Sequence, residues 1–135
     1  MFDTKIAIVL LNSLQIWQKL NVTSFLTSGI IGDNPSLIGK EYKDNSNYNY
    51  LPLNKQPVII LEADENNLKK IHSRIINKSL RCSIYINDMF LSGHDEANRK
   101  TVEKYKNIVI QKCSEYDFRL LSFCASFFFS SPLLG

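Results

Sequence analysis

Lys19 and Asp88 are the two side chains of this 135-residue sequence whose types and settings could do chemistry together. Wound at 3.6 residues per turn, Ile16, Leu20, Val22, Leu26 and Ile30 fall on one stripe, with Lys19 near its middle. An ammonium there costs several kcal/mol of desolvation, or a large fall in pKa, unless a partner or a water-filled cleft receives it. A facing carboxylate would keep both groups ionised, and in a cleft the pair could steady an anion or serve as an acid and base. A purely structural ion pair leaves the same pattern, so a site and a core salt bridge stand as alternatives.

Other reactive side chains offer less. His94, Asp95 and Glu96 are consecutive, so they cannot all reach one metal, and the other histidine, His72, falls on a separate helix. A helix cap followed by acidic first-turn residues accounts for them. Cys82, Cys113 and Cys124 show no C-x-x-C spacing and read as packed, reduced thiols, with nothing placing a base beside one. Lys69, Lys70, Arg74, Lys78 and Arg81 are the densest basic set and read as a solvated helix face, with phosphate contact as the alternative. No glycine-rich phosphate loop follows a strand, so neither a nucleotide cofactor nor a metal is expected.

The elements that must carry Lys19 and Asp88 follow from periodicity. Lys5 to Leu11 is an aliphatic run suited to a strand covered on both faces, and Ser13 could cap the helix that follows, about Leu14 to Ile30. Residues 32 to 56 form a long loop, with a short hairpin around Tyr48, Tyr50 and Leu51, of a length that marks binding loops or lids. Val58 to Ala63 is a second strand. Asp64 caps a helix on which Leu68, Ile71, Ile75 and Ile76 share one face. Arg81 to Asn87 alternates as a third strand and delivers Asp88 at its end, before a helix of roughly Asp95 to Lys106. One or two strands follow from Ile108 to Cys113 and Phe118 to Phe129.

This β-α-β-α-β order predicts right-handed crossovers and an open α/β sheet whose first three strands are parallel neighbours. Ligands bind such sheets outside the carboxyl ends of the strands, the edge to which the first and third strands bring Lys19 and Asp88.

At 135 residues the chain is expected to be one domain over residues 1–135, and 44% hydrophobic with 21% charged residues is the balance of a soluble globular protein. A net charge of +3 permits contact with nucleic acid without arguing for it. The first residues carry no basic leader, and neither they nor the Phe127 to Phe129 region reaches the ~20 apolar residues of a membrane span. A cytoplasmic protein is expected, with no membrane partner.

The strings MFDTKIAIVL, WQKLNVTSFLTSGI, QPVIILEAD and MFLSGHDEANRK resemble a family of small proteins listed as domain-of-unknown-function family two thousand, over about residues 1 to 105. That family is similar in fold to type II peptidyl-tRNA hydrolases, which cleave the ester joining a peptide to tRNA. The resemblance implies a three-layer α/β/α fold with a mixed, mostly parallel four-stranded sheet. In the hydrolase pattern a G-K-x-A-A-Q string lies on the first helix and a D-x-G-x-T string follows a later strand. Lys19 matches the lysine of the first, Asp88 the aspartate of the second, and Ser92 its hydroxyl residue.

The implied catalytic set is therefore Lys19, Asp88 and Ser92, acting on a tRNA-linked or small anionic substrate. The rival is a non-catalytic module binding a small anion or a peptide. Gln18, Asn21, Val22, Thr23 and Phe90 depart from the pattern and fill space beside the site. Past Phe118 the sequence departs again, where relatives place a covering helix. Either a sheet face is left exposed, or the end of the chain packs as an extra strand, and self-association into a homo-oligomer is expected.

Overall fold

Every residue from Ile6 to Leu11 is buried in the first strand, β1 (Thr4–Leu11), so both of its faces are covered, as the unbroken aliphatic run requires. A computed structural model of the chain describes residues 4–105 and 120–128, the latter by their backbone. Helix α1 (Ile16–Asp33) is followed by a 3-10 turn (Pro35–Leu37) and by the short strands β2 (Tyr42–Lys43) and β3 (Asn49–Tyr50). Then come β4 (Val58–Ala63), α2 (Glu65–Asn77), β5 (Cys82–Ile86), a 3-10 turn (Asn87–Phe90), α3 (Asp95–Glu103) and β6 (Leu120–Phe128). Among the described residues this is a mixed α/β fold with three helices.

The main sheet runs β4-β1-β6-β5. β1 and β4 are parallel, with Ile8 opposite Ile60, while β6 is antiparallel to β1 on one side and to β5 on the other. The first three strands do point the same way, but they are not all neighbours, which corrects the expected parallel trio. The reason lies in β6. It slots between β1 and β5 and supplies both with a ladder, so the end of the chain packs as a strand rather than leaving the sheet open. Residues 108–113, expected as a strand, lie outside the described residues.

Local chemistry explains the boundaries. α1 starts at Ile16 rather than Leu14, with Gln18 Oε1 accepting from the Gln15 amide at 2.9 Å in place of the cap expected from Ser13. It runs on to Asp33. Its buried residues are Val22, Leu26 and Ile30, whereas Ile16 and Leu20 are 77% and 66% exposed, which corrects their place on the stripe. The i, i+4 row from 22 to 30 is the one buried against the sheet, and Ile16 and Leu20 lie around the helix from it. The helix packs closely: Ser83 Oγ donates to the Leu26 carbonyl at 2.8 Å, and a Cβ on Gly29 would lie 2.8 Å from Ser83 Cβ.

Asp64 caps α2 as the sequence predicts, its Oδ1 accepting from the Asn67 amide at 2.8 Å, and Leu68, His72 and Ile75 are buried. α3 ends at Glu103, three residues short of expectation. The hairpin is held by Asp44, which accepts from the Ser46 amide at 2.8 Å, the Tyr48 amide at 3.0 Å and the Tyr50 hydroxyl at 3.1 Å. Those bonds, the Tyr48 amide foremost, hold its carboxyl below the usual carboxylate range.

Candidate functional site: an aromatic cleft beside the strand ends

Lys19 finds its carboxylate, but on another strand: its Nζ lies 2.5 Å from Glu62 Oε1, near the end of β4. The lysine side chain is 23% exposed and the glutamate 54%. The sheet-edge rule that singled out Asp88 applies equally to Glu62, because the crossover places β4 directly beside β1, with Leu10 opposite Glu62. That signal was in the sequence. Glu62 is the one charged residue of an otherwise apolar strand and, like Ile60, lies on its exposed side.

Asp88 sits in the turn after β5, where its Oδ2 accepts from the Tyr105 hydroxyl at 2.7 Å. It ties the 3-10 turn to the chain just past α3. Ser92 follows, its hydroxyl against the Met89 carbonyl at 3.0 Å and against Asn98 Oδ1. The three residues named from the hydrolase pattern thus have separate partners, Glu62 for Lys19, Tyr105 for Asp88 and Asn98 for Ser92, and the expected Lys19 to Asp88 pair is replaced by the first two of these contacts. His94 caps α3 through Nδ1, which accepts from the Ala97 amide at 3.3 Å, and Arg99 pairs with Asp95 and, at 3.5 Å, with Glu96. The cap reading of this cluster is the one observed.

Ser92 also lines a cleft of about 470 Å³ between α1 and the segment leading into α3. One wall is aromatic. Trp17 meets Phe90 edge-on with ring centroids 5.7 Å apart, Phe90 meets Tyr85 at 5.1 Å, and Tyr85 meets Phe25 at 5.8 Å. Asn21, Ser92, His94 and Asn98 add hydrogen-bonding groups, and Asp95 stands at the rim with its charge met by Arg99. Burial pushes the Tyr85 phenol above its ordinary pKa, and a hydrogen bond from the Asn21 side chain acts in the opposite sense.

Of the departures noted around Lys19 and Asp88, Asn21 and Phe90 are wall residues of this cleft, whereas Val22 is buried in the core. Sequence reasoning treated them as filling space. Their shared helix face, Trp17, Asn21 and Phe25 at intervals of four, was the available signal.

Residues 4–110 match the family described as protein of unknown function DUF2000. The chain belongs to the DUF2000 family. It is also similar to a solved structure, that of a protein of unknown function from Agrobacterium tumefaciens strain C58, at 38% identity and a TM-score of 0.84, over 94% of this chain and 88% of that one. No curated protein matches it. For this DUF2000 chain the residues that could act on a ligand are therefore those its own geometry gathers. Among the described residues, no group of three His, Cys, Asp or Glu is placed to hold a metal ion, and no helix is long and apolar enough to cross a membrane.

Proposed function

We propose that this DUF2000 chain is a peptide-binding module, whose cleft between α1 and the Phe90–Asn98 segment receives a short peptide or the peptidyl group of a larger substrate. One observation carries the reading: the aromatic side chains of Trp17, Phe25, Tyr85 and Phe90 line one cleft together with the uncharged polar groups of Asn21, Ser92 and Asn98. A peptide offers the matching alternation of apolar side chains and amides. The cleft's volume of about 470 Å³ is in the range of small-ligand sites. A small anion held by Lys19 is the weaker form of this reading, because Glu62 already meets that charge.

The test is calorimetric titration with acetylated, amidated dipeptides carrying one aromatic or aliphatic side chain. Saturable binding is expected, weakened about tenfold by Trp17→Ala, as loss of one aromatic contact of roughly 1.4 kcal/mol implies. Absence of saturation for every peptide tested would sink the proposal.

A second reading is favoured by Ser92, which lines the cleft. On it the chain hydrolyses an ester of a peptidyl- or aminoacyl-tRNA-like substrate, on a three-layer frame of the type II peptidyl-tRNA hydrolase kind. Lys19 would steady an anionic group, Asp88 would hold it or act as base, and Ser92 would supply a hydrogen bond. Peptidyl-tRNA turnover abolished by Lys19→Ala and by Asp88→Asn is the expected result. Purified protein without turnover removes this reading and leaves the first.

A further inference from the structure

We infer that α1 is the contact face of a homodimer, two copies packing this helix against its own image about a two-fold axis near Ser24. The face concerned looks away from the sheet and borders the cleft at Trp17. Along it run Ile16, Leu20, Ser24 and Ser28 at intervals of four, with the half-buried Thr27 beside them. Ile16 is 77% exposed and Leu20 66%, yet no charged residue stands on this face. The helix's two charged side chains are engaged elsewhere, Lys19 with Glu62 and Asp33 with Arg81. The exposed Ile16 and Leu20 therefore stand among uncharged hydroxyl residues rather than beside the charged stripe usual on the solvent side of a helix.

The polar atoms of this face make no demand on water. Ser24 Oγ donates to the Leu20 carbonyl at 3.1 Å, Thr27 Oγ1 to Thr23 at 2.8 Å, and Ser28 Oγ to Phe25 at 2.6 Å. Burying them therefore leaves no unmet hydroxyl donor.

A second copy fits this face better than an unrelated partner, because the face is self-complementary in shape. Its bulky side chains lie toward one end, at Ile16 and Leu20, and its small ones toward the other, at Ser28 and Gly32, where nothing lies within 4 Å of the position of an added Cβ. With the axis at Ser24, Leu20 of each copy meets Ser28 of the other, bulk against gap. The area is also of the right order. At about 1.5 Å per residue the 18-residue helix is about 27 Å long, and with the flanking Ile60 of β4, itself 53% exposed, each copy can bury on the order of 600 Å². That is the lower bound for a specific dimer, about 1,200 Å² in total.

Sedimentation velocity of the full chain over a hundredfold concentration range tests this. A species of twice the 15.5 kDa chain mass is expected for the wild type, and Leu20→Glu, at an exposed position that spares the fold, is expected to raise the dissociation constant at least tenfold. Ser24→Cys is expected to form an inter-chain disulfide under mild oxidation, whereas Ser36→Cys, exposed but off the face, and the wild type are not. A wild-type monomer throughout, or a dimer unchanged by Leu20→Glu, overturns the inference. A dimer that Leu20→Glu dissociates but Ser24→Cys fails to link overturns the placement of the axis.

Discussion

Lys19 and Glu62 clasp α1 to the end of β4, with 2.5 Å between Nζ and Oε1 and the glutamate half open to solvent. A pair in this setting orients more than it stabilises. Solvent screens it, and exposed pairs contribute about 1 kcal/mol or less. Glu62→Gln is accordingly expected to lower stability to urea by less than about 1 kcal/mol. The same variant frees the lysine charge, so an increase in affinity for a small anion such as phosphate is expected by calorimetry. Unchanged anion affinity would show that Lys19 is not part of an anion site.

The approach of Gly29 to Ser83 gives a sharper stability test. A Cβ on Gly29 would lie 2.8 Å from the Ser83 Cβ, so helix and strand must separate to admit it. Gly29→Ala is expected to destabilise by roughly 1–3 kcal/mol, as overpacking does. Ser83→Gly removes the opposing atom, and in that background the effect of Gly29→Ala should shrink by about 1 kcal/mol or more in a double-mutant cycle.

His72 makes the fold sensitive to acid. It is 5% exposed, and burial pushes its imidazole down from 6.5 to about 4. Between those values the unfolded chain holds a proton that the folded chain does not, so stability rises with pH through this window. The contribution is fully present above about pH 6.5 and is lost as pH falls toward 4, at up to roughly 1.4 kcal/mol per pH unit. Urea midpoints at pH 7 and pH 4.5 should show the loss. His72→Leu should flatten it, and an unchanged slope would assign the acid sensitivity to other groups.

Trp17 is the chain's one tryptophan and lies in the cleft wall, 60% exposed and edge-on to Phe90. Its emission should shift to the blue when an apolar group enters the cleft and excludes water from the indole. Phe90→Ala should shift the emission of the empty protein to the red. A peptide that binds by calorimetry without moving the emission would be bound elsewhere.

Strand and helix positions were legible wherever one local force dominated. Val58–Ala63 is the observed β4, Asp64 the observed cap of α2, and Asp95 the observed start of α3, because β-branched runs and caps act within a few residues. What depended on distant partners was not. Nothing in Leu120 to Phe128 says that it separates β1 from β5, since any strand with two ladders to offer could take that place. The burial of α1 is less legible for a related reason: Ile16 and Leu20 are as apolar as Val22, Leu26 and Ile30, and periodicity alone does not tell which of them meet the sheet. The sheet-edge rule places Lys19 and Asp88 near the carboxyl ends of β1, β4 and β5, and the partner of Lys19 follows from which strands lie side by side.

The position of β6 sets an order of events during synthesis. Until it emerges, β1 with β4 and β5 with its following turn are two halves without a common ladder, each presenting a bare hydrogen-bonding edge. Such edges pair readily with foreign strands. A ribosome stalled before residue 120 would hold a nascent chain in that state, with the buried row of β1 uncovered on one side, and such a chain needs a chaperone more than the finished protein does.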